Sequence, residues 1–414
     1  MKCRHCSNVL EVPFLDLGTA PPSNAYLTPD TLAAPETWLP LRVLVCTECW
    51  LVQTEDFAAA DSMFTEDYAY FSSFSSSWLE HANRYVQTMR ERFGLTDQSM
   101  VCEVAANDGY LLQYVKQAGV PCYGVEPTAS TAAAAREKGI EIVPQFFGVA
   151  LAEELVSQGK SADLTAANNV LAHVPDINDF VAGFAKLLKP SGVSTFEFPH
   201  LLNMIELNQF DTAYHEHFSY LSLTAVQRIF AAQGLTVFDV EEWPTHGGSL
   251  RVFAQRTDSG SHPISPNVAA VLEREAAAGL KTTAPYLAFQ ARAEKVKDDF
   301  LAFLVDAKNN GLSVAAYGAA AKGNTLINFA GVTPELLPYV VDKNPAKQGK
   351  YLPGSHIPIV DENYLREHKP DRIVILPWNL KTEVKSQLSY AKAWGAMMVT
   401  AAPWLEVLPW ISML

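Results

Sequence analysis

Apolar and polar positions divide the chain into three regimes. Through residues 1–66 apolar positions show little periodicity, with a loop-rich stretch, Leu17-Gly-Thr-Ala-Pro-Pro-Ser-Asn-Ala-Tyr26, ahead of one strand-like run, Leu41-Arg-Val-Leu-Val45. That pattern predicts a small unit held by something other than a hydrophobic core. A hydroxyl- and aromatic-rich stretch, 67–78, then enters an amphipathic helix near 79–93. Beyond it short apolar runs alternate with helix-length intervals, giving strands at 100–105, 122–126, 140–143, 163–167 and 193–198. A helix at 223–233 stops before Gly234, and 235–240 with 249–254 reads as a closing pair of strands around Gly247-Gly248. Five strand–helix repeats and a hairpin predict a doubly wound sheet with an added antiparallel strand, over 67–258. After a turn-rich linker at 256–266 comes a long helical region, 267–310, then a buried strand at 312–317 and another at 338–342. Residues 259–414 are therefore expected to form a third, α/β unit.

A length of 414 residues agrees with two to three domains, and 49% apolar with 18% charged residues describes a packed globular chain. A formal charge of −14 argues against nucleic acid or an anionic membrane as partner. The N-terminus has no apolar signal-like segment and no run is long enough to span a bilayer, so a cytoplasmic location is expected. A monomer is expected as well. Six cysteines in such a chain are no disulfide framework. Four fall in two C-x2-C pairs, Cys3/Cys6 and Cys46/Cys49, a spacing that lets thiolates from two tight turns share one tetrahedral ion. The expectation is a closed, structural Zn2+ site, against a reading as free thiols or a redox pair. Cys102 and Cys122 fall inside predicted strands and read as core.

Two places concentrate chemistry. The stretch Asp211-Thr-Ala-Tyr-His-Glu-His-Phe-Ser-Tyr220 packs two histidines, two carboxylates and two tyrosines into ten residues. It follows the fifth predicted strand, on the rim where doubly wound sheets bind ligands. The first strand ends in Ala105-Ala-Asn-Asp-Gly109, small residues that admit a ligand to the backbone, and Glu126 ends the second strand, positioned to accept hydrogen bonds from ribose hydroxyls. Ala105 and Asn107 stand where a dinucleotide fingerprint has glycines, so a nucleoside without pyrophosphate, S-adenosylmethionine (SAM), fits better than a nicotinamide. In the third unit, Gly318-Ala-Ala-Ala-Lys-Gly-Asn-Thr325 at a strand-to-helix turn reads as an anion cradle, against a packing turn with a solvated basic loop.

Glu103-Val-Ala-Ala-Asn-Asp-Gly109 resembles the SAM-binding loop of class I methyltransferases. Ala166-Ala-Asn-Asn-Val-Leu-Ala-His-Val-Pro175 and Ala213-Tyr-His-Glu-His-Phe-Ser-Tyr-Leu-Ser222 make the chain similar to the C-methyltransferases of nucleotide-linked 4-keto-deoxyhexoses. The resemblance extends to the four-cysteine unit and to the C-terminal motifs 318–324, 349–354 and 375–379. It implies a zinc-binding domain, a class I methyltransferase domain and a Rossmann-like domain that helps hold the nucleotide diphosphate, with dTDP as the carrier. By resemblance Glu103, Ala105, Asn107, Gly109, Glu126 and Asn168 contact SAM and Phe147 flanks the adenine. Ser249, Arg251, Gly318, Lys322, Gly323, Asn324, Asp342, Lys347, Trp378 and Asn379 are the residues expected to meet the sugar nucleotide.

Carbon methylation needs a carbanion equivalent, which a ketone provides once an α-proton is removed. His217 is the expected base, with Glu216 or His215 setting its tautomer. Tyr214, His173, Tyr70 and Tyr68 are candidate donors to the enolate oxygen, at C3 rather than C5 by resemblance. A nicotinamide-dependent 4-ketosugar reductase, and a zinc-stapled binding protein without catalysis, are the competing classes. Tight NADPH binding would favour the first, and failure to bind SAM the second.

Overall fold

A computed structural model gives the fold and describes residues 1–57 and 71–410, so Tyr68 and Tyr70 lie outside the described residues. Near the N-terminus β1 (Val12–Ala20), β2 (Leu39–Val45) and β3 (Val52–Thr54) pair antiparallel. The middle of the chain supplies β4 (Val101–Val104), β5 (Cys122–Val125), β6 (Glu141–Val143), β7 (Ala162–Asn168), β8 (Leu188–Pro199), β9 (Ser219–Tyr220), β10 (Leu235–Trp243) and β11 (Ser249–Arg256). Seven of these form one sheet in the order β10-β11-β8-β7-β4-β5-β6. β6 through β8 are parallel, and β11 enters antiparallel between β8 and β10. The strand order reverses between β4 and β7, so their carboxyl ends open the crevice in which such sheets bind ligands. All four residues of β4 are buried, as a central parallel strand covered on both faces requires.

β9 leaves this sheet. Val52 pairs with Tyr220 and Gln53 with Ser219, making a four-stranded sheet β1-β2-β3-β9. The N-terminal unit is thereby hydrogen-bonded to the end of the histidine-rich stretch, a connection across more than 160 positions that local patterning does not signal.

The third sheet runs β14-β13-β12-β15-β16-β17, from β12 (Val314–Tyr317), β13 (Val340–Val341), β14 (Ile359–Val360), β15 (Arg372–Ile375), β16 (Met397–Thr400) and β17 (Glu406–Leu408). Only its last pairing is antiparallel. The long helical region expected before it is three helices, Pro266–Ala277, Ala284–Leu287 and Phe289–Asn309. Gly279 at φ +84° ends the first, and Pro285, which lacks an N–H, sits in the opening turn of the second.

The helix Phe289–Asn309 buries Phe289, Ala293, Val296, Phe300, Leu304 and Ala307, a single apolar stripe at helical spacing. Phe289 stacks on Phe14 of β1 at 4.6 Å between ring centroids. That stripe belongs to one apolar cluster holding Leu41 of β2, Phe210 of the middle domain, and Leu326 and Trp378 of the third. Each such aromatic contributes roughly 2–3 kcal/mol by burial. The three units are joined by a common core. Among the described residues no helix is long and apolar enough to cross a membrane.

Candidate active site

The loop after β4 carries Ala105 at φ +59°, Asn107 at φ +49° and Gly109 at φ +74°. It therefore takes the left-handed turns of a glycine fingerprint with two non-glycine residues, at about 1–2 kcal/mol each. Partners hold it there. Asn107 N donates to Glu126 Oε2 (2.9 Å), and Ser72 N donates to Asn107 Oδ1 (2.9 Å). Gly109 admits no side chain, since a Cβ would lie 2.5 Å from Ile140 Cδ1. Glu126, at the end of β5, also accepts from Thr128 N (2.9 Å), and burial pushes its carboxyl upward. Phe147 is anchored by Phe184 and Phe180, at 4.7 and 5.7 Å between centroids.

Glu103 is fully buried and neither carboxyl oxygen is in good hydrogen-bond geometry; burial drives it well above the usual carboxylate range, a rise that the Tyr110 hydroxyl offsets only in part. Asn168 Oδ1, at the end of β7, is buried and unpartnered. Two under-satisfied acceptors at the switch point fit a ligand that brings donors, such as the α-ammonium of SAM. Glu103→Gln is expected to weaken SAM binding by ~1.5–3 kcal/mol, about 10- to 150-fold in Kd, on the scale of a charged hydrogen bond. Calorimetric titration checks this, and an unaltered Kd contradicts it.

Across the rim, His217 Nδ1 lies 2.8 Å from the Thr212 carbonyl. A carbonyl only accepts, so Nδ1 carries the hydrogen and Nε2 the lone pair. The Tyr214 ring lies over His217 at 3.9 Å and His173 meets it edge-on at 4.6 Å. His173 Nδ1 donates to the Glu216 carbonyl (2.8 Å), giving it the same tautomer. Burial, reinforced by His173, Lys322 and His246, holds His217 well below the ordinary imidazole range; burial brings His173 to about 4. The expected partners of the base lie elsewhere. Glu216 Oε1 accepts from Asn24 Nδ2 (3.0 Å), and His215 Nε2 donates to the Pro40 carbonyl (3.2 Å). Both side chains face the N-terminal unit, and the tautomer of His217 is set by a backbone carbonyl. That unit also grips the base from behind: Thr54 Oγ1 donates to the His217 carbonyl at 2.6 Å.

The C-terminal domain closes the third side. Its helix Ala321–Phe329 docks on residues 210–213, with Thr325 Oγ1 donating to the Ala213 carbonyl (2.9 Å) and Phe329 against Phe210 (5.5 Å). Trp378 Nε1 donates to Asp211 Oδ2 (2.7 Å); Asp211 is buried, which lifts it to about 6. Lys322 Nζ lies over the Trp378 ring at 4.6 Å and reaches Asn379 Oδ1 at 3.5 Å. The turn 245–248 abuts the same indole: a Cβ on Gly247 would come within 2.5 Å of Trp378. His246, at φ +54°, accepts from Asn169 Nδ2 (3.1 Å) and sits edge-on to Trp78 (5.2 Å).

Other residues expected at the sugar nucleotide are engaged within the protein. Arg251 is buried, bonded to Glu197 Oε2 (3.1 and 2.7 Å) and flanked by Trp243 and Tyr85. Burial raises Glu197, but His81 and Arg251 outweigh it and hold the carboxyl at about 2. Ser249 Oγ donates to the Thr245 carbonyl (2.9 Å). Strand alternation turns both inward, so they brace the β8–β11 pair. In the turn after β12, Gly318 N donates to the Val341 carbonyl, Ala319 N to Asp342 Oδ2 (2.8 Å), and Lys347 Nζ to the Ala319 carbonyl (2.8 Å). The protein's own carboxylate occupies that part of the expected anion cradle. Gly318 and Gly323 allow close packing on Pro377 and Leu376, and Asn324 is buried in its helix.

Cys3, Cys6, Cys46 and Cys49 bring their sulfurs within 4.8 Å of one another, with Cys3–Cys49 at 3.5 Å and Cys6–Cys46 at 3.4 Å. Four thiolates about 2.3 Å from one zinc stand close to this spacing. Each pair sits on a similar knuckle, in which Ser7 N donates to the Cys3 carbonyl and Trp50 N to the Cys46 carbonyl. Gln53 Nε2 donates to Cys3 Sγ (3.2 Å), an outer contact that steadies a thiolate. The four residues fit a closed structural Zn2+ site.

Comparison with known proteins matches residues 3–64 to a zinc binding domain family, 78–240 to a methyltransferase domain family, and 244–403 to the C-methyltransferase C-terminal domain family. C-methyltransferase NovU of Streptomyces niveus is 34% identical over 383 residues, 92% of this chain and 91% of that protein. The ubiquinone biosynthesis O-methyltransferase of Bordetella avium is 25% identical over 134 residues, 30% of this chain and 56% of that protein. Among solved structures, magnesium protoporphyrin IX methyltransferase of Synechocystis PCC 6803 with bound SAH superposes with a TM-score of 0.35 at 17% identity, covering 43% of this chain and 83% of that one.

Proposed function

The chain belongs to the SAM-dependent C-methyltransferases that carry an N-terminal zinc-binding domain, and from that premise we propose that it methylates a nucleotide-linked 4-keto-deoxysugar at C3. The observation that carries this reading is the tautomer of His217, whose Nδ1–H is committed to the Thr212 carbonyl so that Nε2 is the basic nitrogen. A buried neutral imidazole is a competent base for the α-proton of a ketone. Tyr214, packed over the base, is the neutral donor for the enolate oxygen, while His173, whose single N–H is committed to the Glu216 carbonyl, packs against the base without a hydrogen to give. Glu103, Glu126 and Asn168 orient SAM, which supplies an electrophilic methyl and is consumed as a substrate. dTDP is the expected carrier of the sugar. Deoxysugar biosynthesis is the setting in which such a product is used.

The direct test is to incubate the protein with SAM and a panel of dTDP-4-keto-deoxysugars and locate the new methyl by NMR. A methyl on C3 supports the reading, and SAM binding without C-methylation of any member sinks it.

The same burial fixes a pH dependence. Burial disfavours imidazolium, with His173, Lys322 and His246 adding to it and only the Thr212 carbonyl working against it. His217 therefore stays neutral below its ordinary pKa, and kcat/KM should be flat down to about pH 6.5, with its acid limb below that. An acid limb centred above pH ~7 would contradict this account of the base.

A further inference from the structure

Lys322 was expected in a phosphate cradle, yet it stands at the wall of the base. The helix that bears it is docked one turn later by Thr325 on the Ala213 carbonyl (2.9 Å), next to Tyr214. Its hydrogen-bond partner is a neutral amide, Asn379 Oδ1 at 3.5 Å, and its ammonium lies 4.6 Å over the Trp378 ring. Trp378 in turn donates to Asp211 Oδ2 (2.7 Å), leaving Asp211 Oδ1 buried without a partner. The charge of Lys322 reaches Asp211, His217 and His246, all of the methyltransferase domain.

We propose that Lys322 is a catalytic residue of the methyl transfer, a cation supplied by the C-terminal domain to the ketone oxygen as that oxygen becomes an enolate. This rests on the ketosugar reading above. Among the described residues the part-exposed ammonium has only the Asn379 amide at hydrogen-bond range and the buried Asp211 carboxyl as its nearby acid, so it retains donors for negative charge brought by a ligand. A sugar nucleotide brings two candidates, the diphosphate on C1 and the oxygen that becomes anionic on C4. Proximity to the base decides between them. The base must touch the α-carbon, whose neighbour is the carbonyl carbon, while the diphosphate hangs from the far side of the ring. Tyr214 offers that oxygen a neutral hydrogen bond, and the single N–H of His173 is held by the Glu216 carbonyl; Lys322 offers an ammonium, a stronger partner for a developing oxyanion than a neutral donor.

The step balances. His217 Nε2 takes the C3 proton, the C–H pair forms the C3=C4 bond, and the carbonyl pair moves onto O4 facing Lys322. When that pair returns to reform the carbonyl, C3 bonds the methyl carbon and the C–S pair stays on sulfur, giving S-adenosylhomocysteine (SAH). Lys322 remains protonated, and the proton ends on His217.

The experiment follows deuterium wash-in at C3 of dTDP-4-keto-deoxysugar in D2O with SAH bound, alongside titrations of SAM and dTDP. Lys322→Met is expected to slow exchange at saturating sugar by ~100-fold or more, in the range seen when one oxyanion donor is lost. The dTDP and SAM affinities should stay as in the wild type. Lys322→Gln, polar and similar in length, makes the same test if the Met variant does not fold. Weakened dTDP binding with undiminished exchange at saturation would overturn the assignment, leaving Lys322 as a diphosphate ligand. Wild-type exchange with wild-type dTDP affinity would overturn it as well. A wild-type protein that binds SAM and dTDP but exchanges and methylates no 4-ketosugar would instead remove the ketosugar reading, and the proposal with it.

Discussion

Replacing His217 by Asn should lower kcat for methyl transfer by about 10²- to 10⁴-fold, the usual worth of a positioned base, while the Kd for SAM stays unchanged. Asn keeps a polar side chain of similar reach and preserves a donor toward the Thr212 carbonyl, so the loop over 212–217 retains its anchor. What it loses is the basic nitrogen. The residues proposed for SAM stand on or just after β4, β5 and β7, and His217 stands on the loop before β9, so the two halves should respond independently. A steady-state comparison with calorimetric titration of SAM checks both parts. A variant with near-normal kcat would move the base to another group, and a matching fall in SAM affinity would mean that the substitution disturbed the fold.

Removing the metal should cost structure and activity together. The two knuckles of the N-terminal unit converge at Cys3, Cys6, Cys46 and Cys49, with Arg4 N donating to Gln53 Oε1 (2.9 Å) beside them. Structural zinc sites contribute on the order of 10 kcal/mol of binding free energy, which for such a unit is folding free energy. The consequence reaches the base, because β3 pairs with β9 and Thr54 Oγ1 holds the His217 carbonyl. Arg4, inside the first knuckle, donates to the Thr54 carbonyl (2.9 Å) and lies over Phe218 (5.2 Å). Chelation, or Cys49→Ser, is expected to lower Tm by roughly 10 °C or more and to abolish turnover. Titrating chelator while following released zinc, Tm and activity tests it; full turnover in metal-free protein would show that the knuckles do not support the base.

The features legible in the sequence are those with a local signature. Parallel strands covered on both faces read as short apolar runs, so the sheet from β4 to β8 is visible from residue types alone. Paired C-x2-C spacing is equally local. Three features have no such signature. The partner of His217 Nδ1 is a backbone carbonyl, at Thr212, which every residue type offers. The grip of Thr54 on the same histidine depends on β9 joining the N-terminal sheet, a pairing across more than 160 positions. Arg251 and Ser249 lie beside a glycine turn and look accessible, but strand alternation turns them into the interior, where Glu197 and Thr245 take them. Lys322 is the sharpest case. A lysine in a glycine-flanked turn reads as a phosphate ligand, and only the docking of its helix on residues 210–213 brings it to the base. His246, in a glycine-flanked turn, is held by Trp78 and Asn169, neither of which is near it in sequence. Asp211 belongs to the histidine-rich stretch, yet its bond to Trp378 of another domain leaves no mark on either segment.

The central claim is that this chain breaks the C–H bond next to a ketone with His217 before any methyl moves. Holding the protein in D2O with SAH and a dTDP-4-keto-deoxysugar, and following the C3 proton by NMR, measures that step alone. The account predicts loss of the C3 signal with the wild type and its persistence with His217→Asn. A wild type that binds both ligands yet leaves the C3 proton in place, or a His217→Asn variant that exchanges it at the wild-type rate, would contradict the account.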